Sequence, residues 1–209
     1  MAQHYYSKDP VSASNERSIE YVINVNGIER GYHFITDNGV FSISRVDHGT
    51  DILLKAILKD EPEAPKRLLD IGCGYGPIGT ILGNAFPGAH VHMVDVNERA
   101  MDLARRNAQK AKVMDFTVES VDNLPALLQD PANAFQMVVT NPPIHAGKAV
   151  VYGIFQQAFD HLASGGALYV VIRKNQGGPS AIKELERLFG NCTIIDREAG
   201  FHILKSIKE

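Results

Sequence analysis

Two short segments carry residue types suited to chemistry. The first, Asp70-Ile-Gly-Cys-Gly-Tyr-Gly76, lies between an apolar run and an amphipathic one. Three alternating glycines let the backbone turn sharply and approach a ligand with no Cβ in the way, where one glycine suffices for an ordinary turn. The second, Thr140-Asn141-Pro142-Pro143-Ile144, follows the apolar run 135–139 directly. Its two prolines remove two backbone donors and stiffen the chain, so the Asn141 amide oxygen and the Pro142 carbonyl become fixed acceptors. Such a pair suits the exocyclic amine of a base or an amide nitrogen, whose delocalised lone pair makes it a poor nucleophile. Acceptors on its N–H groups favour rehybridisation and offset the positive charge that develops when nitrogen is alkylated. Alignment and electrostatics then carry the reaction, and no strong general base is needed.

The glycine loop alone leaves the cofactor open. Gly74-Tyr-Gly76-Pro-Ile-Gly79 matches the dinucleotide pattern G-x-G-x-x-G, and Asp95 closes the next apolar run about twenty residues on. A carboxylate there accepts ribose hydroxyls, at about 1.5–3 kcal/mol per bond. NAD and S-adenosylmethionine both fit. Two features favour S-adenosylmethionine. The series begins Asp-x-Gly, placing Asp70 where it can organise the backbone or meet an ammonium group. Pro77, at the first helical turn, is compatible with a ligand that brings no pyrophosphate to the helix N-terminus.

These segments need a frame to hold them. From Arg67 onward, strand-like and helix-like runs alternate: strand 68–71, helix 78–86, strand 90–94, helix 98–110, a strand near 115–118 and a short helix from Leu124. Strand 135–140, helix 148–162, strand 167–172, helix 180–189 and strands 192–195 and 201–207 follow. This rhythm predicts an α/β, Rossmann-like fold: a mostly parallel sheet with right-handed crossovers and helices on both faces. Such sheets bind ligands beyond the carboxyl ends of their strands. Ahead of it, residues 7–15 read as loop, and 21–25 with 32–35 as a hairpin about Asn26-Gly27. A turn at Asp37-Asn38-Gly39 leads into Val40-Phe41-Ser42, and residues 47–58 have helical spacing. A β-hairpin extension over residues 1–45, packed on a larger α/β domain over 46–209, is expected.

The 209 residues suffice for one such core, and 44% hydrophobic with 22% charged residues is ordinary for a soluble globular protein. No apolar run approaches the roughly 20 residues of a membrane span, and the N-terminus lacks the basic-then-apolar pattern of a secretory signal. Only Cys73 and Cys192 occur, far apart, which fits a reducing compartment. A cytoplasmic protein without membrane association is therefore expected. A net charge of −3 argues against coating nucleic acid by overall positive charge, and leaves a local basic patch open.

With Val94-Asp95-Val96-Asn97 added, these motifs resemble the class I S-adenosylmethionine-dependent methyltransferases. Three further stretches narrow the resemblance: Asn141-Pro-Pro-Ile-His-Ala-Gly-Lys148, Gly39-Val-Phe-Ser42 with Asp47-His-Gly-Thr50, and Gly200-Phe-His-Ile-Leu-Lys-Ser206. They point to the RsmC-like family of 16S rRNA guanine-N2 methyltransferases, from about Tyr5 to the C-terminus. The resemblance implies a seven-stranded sheet with its last strand antiparallel, S-adenosylmethionine as cofactor, and small-subunit rRNA or the ribosomal subunit as partner. It implies that Gly72, Gly74 and Gly76, in the loop that also holds Asp70 and Cys73, line the methionine part of the cofactor. Asp95 would take the ribose, Val96 would pack on adenine and Ser120 would lie nearby. Many relatives have an acidic residue directly after that serine; here Val121 intervenes before Asp122. Asn141, at the cofactor's edge, would hold the target amine with Pro142 and Pro143. Ile144 stands where many amino-methyltransferases have an aromatic residue, so base stacking must come from elsewhere, with Phe41 the candidate. Larger family members carry an additional N-terminal half, a degenerate copy of the domain, that is not among these residues. Substrate selection would then rest on the short β element, a partner subunit or different RNA.

Other residues are less distinctive. His145 adjoins the reaction centre and can hydrogen-bond substrate. Lys148, Arg173 and Lys174 follow strand ends on one edge, where they can meet phosphate or simply face solvent. His90 and His92 share a strand face without a third ligand, and no metal is expected. Cys73 reads as a packing residue rather than a nucleophile. The leading reading is methyl transfer to guanine N2 of small-subunit rRNA. Its rivals are methylation of a protein glutamine amide, an NAD-linked oxidoreductase, and a non-catalytic RNA-binding or assembly protein of the same fold. Oligomeric state is open.

Overall fold

Alternation of inward Ile19, Ile23 and Val25 with polar neighbours pairs β1 (Arg17–Val25) with β2 (Ile28–Thr36) as an antiparallel hairpin. The computed structural model describes residues 12–61, 63–128 and 130–209, so positions 7–11 of the expected first loop lie outside it. Asn26 and Gly27 turn the hairpin at φ 53° and 82°, the left-handed pair whose twist matches flanking strands. Both strands exceed their apolar stretches because the ladder continues through polar residues to Arg17↔Thr36. The segment Val40-Phe41-Ser42 is no strand. Gly39 and Ser42 sit at φ 83° and 58°, which a pleated strand does not accommodate.

Helix α1 (His48–Asp60) starts one residue later than its periodicity suggests, because Asp47 is the N-cap and accepts the Thr50 N–H. The main sheet then contains β3 (Arg67–Ile71), β4 (His90–Asp95), β5 (Phe116–Ser120), β6 (Phe135–Thr140), β7 (Leu162–Arg173), β8 (Thr193–Glu198) and β9 (Phe201–Ile207). Their order is β5-β4-β3-β6-β7-β9-β8, and only β9 runs antiparallel to its neighbours. The crossovers supply α2 (Pro77–Ala85), α3 (Glu98–Lys110), the single turn α4 (Leu124–Leu127), α5 (Lys148–His161) and α6 (Gly178–Phe189). One face of the sheet is covered by Ile52, Leu53, Ile81 and Leu103 together with the hairpin's Ile23 and Phe34. The other is covered by Val151, Phe155, Leu185 and Phe189.

Strand β7 begins at Leu162, five residues before the apolar run starting at Ala167. Within this added stretch the Gly165 N–H reaches the Lys208 carbonyl at 2.7 Å, and the ladder to β6 is irregular between Phe135 and Met137. Beside the apolar packing of Ile23 and Phe34, a buried side chain ties the hairpin to the larger unit. Asn107 on α3 accepts the Ile35 N–H at 2.7 Å and donates to the Ile35 and Tyr75 carbonyls at 2.9 and 2.8 Å.

The strand order decides where a ligand can enter. From β3 the chain moves outward through β4 and β5, whereas β6 lies on the opposite side of β3 and leads to β7. Loops leaving the carboxyl ends of β3 and β6 therefore diverge, opening a crevice at the switch point.

Candidate active site

The glycine loop leaves β3 and the Asn-Pro-Pro segment leaves β6, adjacent parallel strands with Asp70 opposite Val139. Thr140 Oγ1 donates to the Ile71 carbonyl at 2.8 Å, locking the two strand ends together. Between the loops lies a cavity of about 610 Å³, bounded also by Asp95–Asn97, by Val40–Ser42 and by Phe201.

On the cofactor side, the Val94 carbonyl accepts both the Gly72 and Cys73 amides, at 2.9 and 3.0 Å. Gly72 and Gly74 have φ of 76° and 57°, and a Cβ on either would meet no atom within 4 Å. They form a cradle open to the cavity they line. The Asp95 carboxylate accepts the Gly74 N–H at 2.8 Å and the Asn97 N–H at 2.9 Å. A carboxylate has about four lone-pair sites, so capacity remains for a diol. Burial raises its pKa, against the pull of the Asn97, Gly74 and Val96 amides. Val96 projects beside it, 39% exposed. A cradle for a polar tail, a carboxylate acceptor and an apolar platform fit a nucleoside carrying an amino-acid substituent.

Not every expected residue reaches this wall. Asp70 is fully buried beneath the loop, where it accepts the Gly79 N–H at 3.0 Å. That amide belongs to the first turn of α2, whose N-cap, Gly76, has no side chain to offer. Asp70 therefore organises the backbone and does not face the cavity. Gly76 is turned inward too: a Cβ there would stand 3.0 Å from Ala104. Ser120 caps a 3₁₀ turn by accepting the Asp122 N–H at 3.3 Å, and Val121 takes its place on the wall. Cys73 lines the cavity with its thiol pushed well up, chiefly by burial and then by Asp95 and Asp70, as suits packing rather than attack.

On the reaction side, Asn141 Nδ2 donates to Asp47 Oδ2 and to Thr50 Oγ1, both at 3.0 Å. Pro142 is buried, and Pro143, Ile144 and exposed His145 continue the wall. Arg173 stands at its rim with its guanidinium 4.4 Å above the Phe201 ring. Phe41 also lines the cavity, 49% exposed. Lys148, the exposed first residue of α5, and Lys174 are outside the wall. Asp47, Thr50, Asn97 and Phe201 all line the cavity without having been singled out as site residues from the sequence. Their one signal was membership of the motifs at 47–50, 94–97 and 200–206. His90 lies 2.9 Å from Asp115 and His92 2.7 Å from Glu119. Among the described residues no group of three or more His, Cys, Asp or Glu side chains can hold a metal, and no helix is long and apolar enough to cross a membrane.

Comparisons with known proteins identify the family and the fold. The family model described as the methyltransferase small domain matches residues 31–205. A Bacillus subtilis protein, YbxB, is 39% identical over 208 residues, covering all of both chains. The ribosomal RNA large subunit methyltransferase G of Shewanella pealeana is 30% identical over 82% of this chain and 42% of its own length. The ribosomal RNA small subunit methyltransferase C of Aeromonas hydrophila is 37% identical over 64% of this chain and 37% of its own. The chain thus spans less than half the length of these two relatives. Among solved structures, the T. thermophilus 16S rRNA N2 G1207 methyltransferase, in complex with AdoMet and guanosine, superposes with a TM-score of 0.76 at 24% identity. That match covers 96% of this chain and 52% of the other.

Proposed function

The chain belongs to the methyltransferase small-domain family, and from that premise we propose that it methylates an exocyclic amine of ribosomal RNA, with guanine N2 of the small-subunit RNA as its target. Its cofactor is S-adenosylmethionine, which supplies the methyl group as an electrophilic carbon on a sulfonium. Gly72 and Gly74 would cradle the methionine portion, Asp95 would accept the ribose hydroxyls, and exposed Val96 would pack on the adenine. Asn141 Oδ1 and the Pro142 carbonyl would accept the N–H groups of the target amine, orienting its lone pair and balancing the charge that develops on nitrogen. The methylated nitrogen is acidic while it carries that charge, so its proton can pass to water without a buried base.

The observation that carries this reading is that Asn141-Pro142, just past the end of β6, lines the same crevice as the glycine loop just past the end of the adjacent strand β3. The small-subunit target is supported by the named A. hydrophila relative and by the motif resemblance. Arg173 at the rim offers a cation for phosphate, and a ribosomal substrate would place the enzyme in the cytoplasm. A large-subunit target is the second reading, favoured by the S. pealeana relative, whose match spans more of this chain.

Replacing Asn141 with Ala tests the amine-holding role. Methyl transfer should be lost while S-adenosylmethionine binding stays largely intact. Unchanged methylation would remove Asn141 from the mechanism.

A further inference from the structure

We propose that Asp47 and Thr50, at the start of α1, are positioning residues that fix the orientation and acceptor strength of the Asn141 amide; the catalytic consequence rests on the methyl-transfer reading above. The three residues are 94 and 91 positions apart in sequence, yet both contacts to Asn141 are 3.0 Å. An ionised carboxylate can only accept. The Asn141 atom facing Asp47 Oδ2 must therefore be the NH₂ nitrogen, and the oxygen must lie on the other side. Thr50 Oγ1 takes the second N–H. With both donors engaged, Oδ1 is the group left for a ligand, and among the described residues it has no partner.

The arrangement is itself held in place. Asp47 Oδ2 also accepts the Thr50 N–H at 3.2 Å as the N-cap of α1. Gly49 leaves room for the carboxylate: a Cβ there would stand 2.9 Å from Asp47 Oδ2 and 3.0 Å from the Phe201 ring. Thr50 is only 4% exposed.

Two consequences follow for an amine acceptor. An unpinned asparagine can flip and present NH₂ to the substrate amine, donor against donor. A charge-assisted N–H···carboxylate bond also polarises the amide and enriches Oδ1 in electron density, which counts most when the amine turns cationic. The loss should therefore fall on turnover rather than on RNA affinity.

The test uses Asp47→Ser, which keeps a residue able to cap α1 but is too short to reach Asn141, with Thr50→Val and Thr50→Ser. Steady-state methylation of rRNA is measured alongside hydrogen exchange of the Asn141 side-chain NH₂, read by NMR on ¹⁵N-labelled protein without cofactor or RNA. Asp47→Ser and Thr50→Val should each lower kcat about tenfold or more, on the scale of a lost preorganised contact, with KM for RNA changed little. Both should speed the Asn141 NH₂ exchange, and Thr50→Ser should restore both properties. Wild-type kcat in Asp47→Ser, or a reduced kcat with Asn141 exchange unchanged, overturns the positioning role. Absence of RNA methylation by the wild-type protein overturns the RNA reading instead, and the exchange measurement still decides whether Asp47 and Thr50 pin the amide.

Discussion

The side-chain amide of Asn97 donates to the Gly39 carbonyl at 2.8 Å. Its oxygen meanwhile caps α3 by accepting the Arg99 and Ala100 amides at 3.0 and 3.2 Å. One residue, 1% exposed, thereby joins the loop after β4 to the segment carrying Val40 and Phe41. Arg99 reinforces the junction by donating to the Asn38 carbonyl at 2.6 Å. The N-terminal segment is fastened to the cofactor side of the cavity and forms part of its wall.

Replacing Asn97 with Ala removes the cap and leaves the Gly39 carbonyl unpaired. A stability loss of about 1–3 kcal/mol is expected, together with weaker cofactor binding as the Asp95 turn and the Val40–Ser42 wall separate. Urea unfolding and S-adenosylmethionine titration measure the two effects. Lost stability with unchanged affinity would show that the wall does not contribute to the cofactor site.

Two glycines in the same region should respond differently to alanine. At Gly79 a Cβ would stand 2.5 Å from Met93 Sδ, in a fully buried contact, so Gly79→Ala should cost about 1–3 kcal/mol of stability by overpacking. At Gly72 nothing lies within 4 Å, but φ is 76° and the new methyl would point into open space at the cavity wall. Gly72→Ala should cost roughly 1–2 kcal/mol from its left-handed backbone and should additionally weaken cofactor binding. Calorimetric titration separates the pair, and equal affinities in the two variants would contradict the cradle assignment.

The buried carboxyl of Asp70 makes stability depend on pH. Burial is the main cause that lifts its pKa from 3.8 to about 7; the Gly79 amide opposes the rise and Asp95 adds to it. Between those values the folded chain holds a proton that the unfolded chain releases. Its contribution to stability is therefore fully present below the unfolded value and lost as pH rises through about 7. Relative to Asp70→Asn, which cannot ionise, the wild-type protein should lose stability on the order of a few kcal/mol over that window. Urea midpoints of both proteins across the window give the comparison, and parallel profiles would contradict the assignment.

Much of this frame was legible because local patterns encode it. Buried parallel strands read as apolar runs, and Asn26-Gly27 marked the hairpin. The glycine loop and Asn141-Pro-Pro143 each announced a strand end. Chain direction at the ends of β3 and β6 then followed from the α/β alternation. What escaped was set by tertiary contact. Asp47 and Thr50 reach Asn141 across more than ninety residues, and no periodicity records that meeting. For Asp70 the sequence left two roles open, organising the backbone or meeting an ammonium group, and only the buried contact with the Gly79 N–H selects the first. Nor did the turn at Asp37-Asn38-Gly39 announce that left-handed Gly39 and Ser42 bend Val40–Ser42 into a wall of the cavity. Phe201, buried beneath the Arg173 guanidinium, lines the cavity from a strand more than fifty residues beyond Asn141.

The most direct test of the account is transfer from methyl-labelled S-adenosylmethionine to separated small- and large-subunit rRNAs, ribosomal subunits and ribosomal proteins, followed by nucleoside analysis of the labelled product. The account predicts label in rRNA, recovered as N2-methylguanosine, from the small subunit. Label confined to protein, or to a position other than an exocyclic amine, would contradict it.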